Sequence, residues 1–324
     1  MADKIYRLIK PKTWLFGIMF FFTAGLAKAQ NTFTILPLGV YGGSDESNLS
    51  AYLLGCKDSS DYICLDAGTI YDGLKAAHDK GFVKKDIDNF LKENIKAYLI
   101  SHGHLDHNAG LIINSPNDAA KNIYALPFCI DVLKTKYFTW TSWANFANEG
   151  EPPSLKKYTY QYLDTAKETA IENTAFFVKP FLLSHATPGK STAFLVRHNE
   201  DYFLYFGDTG DDSIEQCNHL HIVWNAVAPL LAAHKLKGIS IECSYPDEQS
   251  DKQLFGHLKP SLLMKNLHCL EGLAGKNALK DFPIIVAHIK PDGDNEKQIH
   301  EEMEKENDLQ LKLIFPKQGE KIEL

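Results

Sequence analysis

Between Ser101 and Pro116 the chain reads SHGHLDHNAGLIINSP, and this string limits the fold more than any other feature. His102, His104, Asp106 and His107 put four metal-competent side chains within six positions. They follow an apolar, strand-like run, Ala97-Tyr98-Leu99-Ile100. A spacing of two points His102 and His104 the same way from an extended segment. Asp106 and His107 come where the chain must turn, so they can face a second ion beside the first. On a helix His102 and His107 would lie on different faces, so the spacing predicts a strand end and then a loop. Imidazole with carboxylate favours zinc, and manganese or iron are compatible with the same ligand types. An isolated His-x-His is ordinarily a surface turn. Here the strand-then-ligand pattern recurs, which favours a metal centre.

The recurrence runs through the chain. Tyr62-Ile63-Cys64-Leu65 ends at Asp66, and Phe181-Leu182-Leu183 ends at Ser184-His185. The run 202–206 ends at Gly207-Asp208, Ile239-Ser240-Ile241 at Glu242, and the run 283–287 at His288. Between these runs lie helical patterns. Ile87, Phe90, Leu91 and Ile95 share one helix face, and Pro260 opens a helix over 261–270. Strands alternating with helices, each strand ending in a polar ligand, predict an α/β domain with its site along one sheet edge.

The first 30 residues stand outside this pattern. Lys4, Arg7, Lys10 and Lys12 form a basic start, residues 14–26 an apolar core, and Ala27-Lys28-Ala29 a cleavage signal that leaves Gln30 first. The apolar stretch falls short of the roughly 20 residues of a membrane span. Residues 1–29 are therefore expected to be a cleaved export signal, with a periplasmic product and no stable membrane span after processing. Residues 30–324 are long enough for one large α/β domain or two small ones. The formal charge of the whole chain is −7. Because the leader carries five basic residues and only Asp3 as an acid, the remainder is more acidic still. Such a balance argues against DNA or structured RNA as partner. A small phosphate ester stays compatible, because bound cations would invert the charge locally. The six cysteines follow no disulfide scaffold spacing; Cys64 and Cys243 read as buried thiols.

HGHLDH, LLSHATPGKSTAFLV, YFGDTGDD and IIVAHIKP together resemble the successive metal motifs of the metallo-β-lactamase superfamily, over essentially the whole chain after the leader. Within it, HGHLDHNAGLIINSP, IECSYPDE with LFGHLKP, and LGVYGGSDESNLSAYLL resemble the class II cyclic-nucleotide phosphodiesterases. The resemblance implies an αββα sandwich, two mixed sheets flanked by helices. It implies two divalent ions, zinc first: one on His102, His104 and His185, the other on Asp106, His107 and His288, with Asp208 bridging. Asp66 in LDAGT resembles an acid that orients ligands. Glu242 and His257 resemble a Glu…His pair of the related tRNA 3′-processing nucleases, in which the histidine serves proton transfer to the leaving oxygen.

The implied reaction is hydrolysis of a 3′,5′-cyclic nucleotide, cyclic AMP first and cyclic GMP second, to the nucleoside 5′-monophosphate. The two ions would share a water and lower its pKa from 15.7 toward about 7, giving hydroxide for in-line attack. Aromatics between Tyr137 and Phe146 exceed what a connection needs, so Trp143 and Phe146 are candidates to stack the base. The family's Trp-Pro-Asn is Trp143-Ala144-Asn145 here, which leaves base specificity open. His219 and His221 form a second His-x-His without a following acid-His pair, and read as surface or packing residues. Two other readings stand beside this one. The same scaffold supports β-lactam, thioester and RNA hydrolysis, and a periplasmic nucleotide-binding protein would need no catalysis.

Overall fold

The computed structural model describes Met1 and residues 32–324. Apart from Met1, the expected export signal lies outside the described residues. The first half runs β1 (Phe33–Gly39), β2 (Ala51–Cys56), β3 (Tyr62–Leu65), α1 (Tyr71–Asp79), α2 (Ile87–Asn94), β4 (Ile95–Leu99), α3 (Leu105–Asn114), β5 (Lys121–Ala125), α4 (Pro127–Val132) and β6 (Tyr158–Tyr162). The second runs β7 (Thr169–Ala170), β8 (Phe177–Ser184), β9 (Lys190–His198), β10 (Asp201–Phe206), α5 (Asp212–Glu215), α6 (His219–Ala232), β11 (Leu236–Glu242), α7 (Pro260–Ala274), β12 (Pro283–Ala287), α8 (Asn295–Glu306), β13 (Lys312–Ile314) and β14 (Ile322–Glu323).

These strands form two seven-stranded mixed sheets, ordered β14-β1-β2-β3-β4-β5-β6 and β13-β12-β11-β10-β9-β8-β7. In each, antiparallel pairs give way to a parallel block: β3 to β6 in the first, β10 to β13 in the second. Parallel strands need crossovers, and α2, α3, α4, α6, α7 and α8 lie in them. Three apolar clusters fix the layers. Ile35, Tyr52 and Leu99 of the first sheet meet Val178, Phe194 and Phe203 of the second between the sheets. Leu74, Leu91 and Leu111 cover the first sheet's outer face, and Val223, Trp224, Leu267 and Met303 cover the second's. The result is the αββα sandwich.

All six runs that end in a polar residue are strands, and the chemistry-bearing residues lie at or just past their C-terminal ends, Glu242 being the last residue of β11. β8 and β10 both pair antiparallel with β9, so β8 shares the direction of the second sheet's parallel block. That shared direction brings the strand ends of each sheet to one edge.

Two sequence expectations need correction. Asp106 and His107 are not in a loop: α3 starts at Leu105, with His104 as N-cap and both residues in its first turn. Leu111 and Ile112 are buried on this helix, and Asp106 near its positive end is favoured by the helix dipole. Ile95 is the first residue of β4 and not the last apolar position of α2. All six cysteines are free, with Cys64 and Cys243 buried. No helix among the described residues is long and apolar enough to cross a membrane.

Candidate active site

Seven side chains converge at the strand ends. His102 follows β4, His104, Asp106 and His107 sit at the start of α3, and His185, Asp208 and His288 follow β8, β10 and β12. They form two sets whose donor atoms all lie within 4.8 Å of one another. One set is His102, His104, His185 and Asp208; the other is Asp106, His107, His288 and the same Asp208. Asp208 Oδ2 is 3.7 Å from His102 Nε2 and 3.6 Å from His185 Nε2. Its Oδ1 is 3.0 Å from His107 Nε2 and 3.1 Å from His288 Nε2. One carboxylate thus offers one oxygen to each set.

The donors fit cations. His102 Nδ1 lies 3.0 Å from Ser101 Oγ, His107 Nδ1 2.8 Å from Asp66 Oδ2, His185 Nδ1 2.9 Å from Gly256 O and His288 Nδ1 3.0 Å from Ser244 Oγ. These contacts hold the outer ring nitrogens and leave the inner ones for a ligand role. His102 Nε2 and Asp208 Oδ1 are buried and make no hydrogen bond. Buried lone pairs facing one another are costly without a cation between them. Burial, reinforced by the neighbouring imidazole of His107, holds His102 well below the usual histidine range. Burial alone would raise Asp208, but His107 and His288 hold it well below the usual carboxylate range. A neutral imidazole at His102 and an ionised carboxylate at Asp208 are the forms a divalent ion binds. Burial would lower His107, but Asp208, Asp66 and Asp106 hold it well above the usual histidine range, so cation binding there would displace a proton.

Asp66 sits beneath this cluster, fully buried. Besides His107, it accepts from Ser101 N at 2.7 Å, Ser101 Oγ at 2.8 Å and Tyr205 OH at 2.8 Å. Asp66→Ala would leave these donors unpaired, at about 1–3 kcal/mol for each buried group. The melting temperature of the metal-free protein should fall by more than about 5 °C, since 1 kcal/mol moves a protein of this size by about 2–4 °C. Calorimetry on chelator-treated protein checks this, and an unchanged transition would contradict it.

His257, just before α7, lies beside both sets. Its ring is centred 4.8 Å from that of His185 and 5.3 Å from that of His288. Its Nδ1 is 2.8 Å from Glu242 Oε1 and 3.9 Å from Asp208 Oδ2. Glu242 Oε1 also accepts from Thr209 N at 2.8 Å, and Oε2 accepts from Ser244 Oγ at 2.7 Å. Burial would raise Glu242, but His257 beside it holds it below the usual carboxylate range. The buried acid therefore fixes the His257 tautomer and the backbone next to Asp208.

A donor geometry of this kind limits the family, and the sequence comparison decides it. The sequence model of the class II cAMP phosphodiesterases matches residues 83–319. The chain belongs to this family. It is an enzyme of the cyclic-nucleotide phosphodiesterase class. A 3′,5′-cyclic-nucleotide phosphodiesterase of Aliivibrio fischeri is 39% identical over 309 residues, covering 91% of this chain and 93% of that protein. Another from Schizosaccharomyces pombe is 33% identical over 296 residues, covering 81% and 82%. The structure of unliganded yeast PDE1 superposes with a TM-score of 0.80 at 24% identity, covering 91% of this chain and all of that one. A metallo-β-lactamase fold protein of Bacillus subtilis gives 0.57 at 16% identity, with 91% of this chain covered, which places the sandwich in that fold.

In this class II phosphodiesterase the two candidate aromatics, Trp143 and Phe146, are both partly buried against the first sheet's core. Trp143 lines a small apolar cavity of about 120 Å³ with Leu105, Ile112, Ile113 and Tyr137. Leu105, exposed at the start of α3, lies between His104 and Asp106 in the chain. Tyr137 OH donates to Gly103 O at 2.7 Å and ties the segment to the His102–His104 turn. Phe146 does not line this cavity, and Lys157 Nζ lies 5.0 Å from its ring centre, while Trp143 Nε1 donates to Ser115 Oγ at 3.1 Å. Asn145 is buried and holds its loop through Glu149 O and Glu151 O, at 3.0 and 2.7 Å. His219 and His221 lie in the first turn of α6, away from both sets.

The sequence reading missed Ser101, Tyr205 and Ser244. Ser101 and Ser244 adjoin motif residues, and Tyr205 stands three residues before Asp208. Position beside a ligand was the available signal.

Proposed function

We propose that this phosphodiesterase hydrolyses the 3′,5′-cyclic phosphodiester of cyclic AMP, with cyclic GMP as a second substrate, to the nucleoside 5′-monophosphate. The observation that carries the reading is Asp208 facing two donor sets, with His257 beside them. His102, His104 and His185 would hold one divalent ion, Asp106, His107 and His288 the other, and Asp208 would serve both. Three imidazoles with one carboxylate in the first set, and two of each in the second, are ligand types that suit zinc. When bound, such a pair supplies Lewis acidity to the phosphoryl oxygens and lowers the pKa of attacking water.

The chain's own residues do the rest. An alkoxide leaves poorly, so O3′ of the ribose needs a proton as its bond to phosphorus breaks. His257 gives that proton from Nε2, because Glu242 engages Nδ1. Glu242 keeps the imidazole in that orientation through the contact at Nδ1. Asp66, Ser101 and Ser244 orient the ligand rings. Trp143 stacks on the base from its cavity beside Leu105.

Base–aromatic stacking contributes about 1–3 kcal/mol. Trp143→Ala is therefore expected to raise KM for cyclic AMP about tenfold with little change in kcat. Steady-state kinetics reads this, and an unaltered KM would remove the stacking role. The reading as a whole is tested by measuring bound metal alongside cyclic AMP hydrolysis and identifying the product isomer. Formation of the 3′-monophosphate, or selective cleavage of a β-lactam instead, would overturn it.

The leader's basic start, apolar core and Ala-Lys-Ala end support export, with residues 30–324 as the mature enzyme in the periplasm. Amino-terminal sequencing of the protein from a periplasmic extract would start at Gln30; an intact Met1 would contradict export.

A further inference from the structure

Four residues of α5 follow closely on Asp208, and the last of them, Glu215, is buried although no motif includes it. One of its oxygens, Oε2, accepts from Ser184 Oγ at 2.8 Å, Thr187 N at 2.9 Å and Thr187 Oγ1 at 2.8 Å. Ser184 and Thr187 bracket His185. The backbone adds a tie, Gly210 N donating to Ser184 O at 3.0 Å. Gly210 belongs to the turn after Asp208, and a Cβ there would lie 2.5 Å from Glu215 Cγ. Glu215 therefore touches the His185 loop and the Asp208 turn together.

The far side of the loop is held as closely. His185 Nδ1 meets Gly256 O at 2.9 Å. Gly256 has φ of 78°, and a Cβ on it would lie 1.9 Å from Ala186 N, so only glycine brings this carbonyl near enough. α5 itself is anchored on α7: Asp211 accepts from Asn266 Nδ2 at 2.8 Å and from Lys265 Nζ at 3.0 Å. α7 is the helix that follows His257. The His185 loop is thus gripped between two supports fixed to one helix.

We propose that Glu215 is a positioning residue for the first cation set, clamping the His185 loop onto the Asp208 turn so that both donors are presented together. A merely space-filling role would need no carboxylate, since a buried acid is unfavourable unless its hydrogen bonds are made. All three partners are neutral donors converging on one oxygen. The inference rests on the two-cation reading above and assigns Glu215 to one set only.

The test is titration of chelator-treated, full-length protein with Co²⁺, following the ligand-field spectrum and stoichiometry. Wild type should take up two equivalents. His104→Ala and Asp106→Ala mark the spectra of losing the first or the second set. Glu215→Ala should match the His104 variant, with one equivalent unaltered and the other weakened by about 10–100-fold, the usual effect of losing a ligand's supporting partner. Glu215→Gln, whose amide oxygen can accept the same three bonds, should restore most of that affinity. If Glu215→Ala does not fold by circular dichroism, Thr187→Val, which removes one of the three donors, should weaken the same equivalent. A folded Glu215→Ala that binds both equivalents as wild type does, or loses both equally, would overturn the clamp while leaving the two-cation reading intact. A wild-type protein that takes up no Co²⁺ would overturn both.

Discussion

Asp208→Ala should empty both cation sets at once. Bound metal is expected to fall from two equivalents to below one, and cyclic AMP turnover by about 10³-fold or more. The size follows from Lewis-acid stabilisation worth several kcal/mol, at about 1.4 kcal/mol per tenfold in rate. The direction follows from geometry: each Asp208 oxygen faces imidazoles of a different set, at 3.6–3.7 Å for Oδ2 and 3.0–3.1 Å for Oδ1. Loss of any one histidine should instead spare the other set. Elemental analysis beside a cyclic AMP assay distinguishes these cases. Two retained equivalents with less than a tenfold loss of rate would rule out a shared ligand.

His257→Ala should act on chemistry alone. Positioned proton transfer contributes about 10²–10⁴-fold, so turnover of cyclic AMP should fall by that range while metal content stays near wild type. The loss should be much smaller on bis-p-nitrophenyl phosphate, whose leaving group needs no proton. This contrast separates a proton donor from a structural support. Glu242→Gln should follow His257→Ala in direction, because the acid is 2.8 Å from Nδ1. Equal losses on both substrates would assign His257 to architecture, and unchanged turnover would remove it from the reaction.

The sequence made the converging donor residues legible for a physical reason. A strand end in an α/β sheet exposes its last residue and the next one or two at the sheet edge, so an apolar run ending in histidine or an acid announces a candidate site. His102, His185, Asp208, Glu242 and His288 were readable this way. The start of α3 was not, because Leu105-Asp106-His107 carries no strong helix signal before Leu111 and Ile112 supply buried contacts. Ile95 fitted a helical period and a strand equally, and pairing with Tyr62 of β3 decided for the strand. Ser101, Tyr205, Ser244 and Glu215 are brought to the donor residues and their neighbours by the fold rather than announced by their residue type. Hydroxyls and acids of this kind are common, and only the tertiary arrangement tells a working one from its neighbours. Trp143 and Phe146 illustrate the converse, since both pack partly on the first sheet's core and an aromatic among aromatics is as easily core as contact.

Each donor set takes two members from the first half of the chain and two from the second. Neither half alone can assemble a four-coordinate site, so cation uptake reports whether the halves have docked in register. A cavity cut deep in the sandwich interior, at Phe194 for instance, would reach the chemistry without touching it: a slip of one sheet over the other would be felt as a looser grip on the ions.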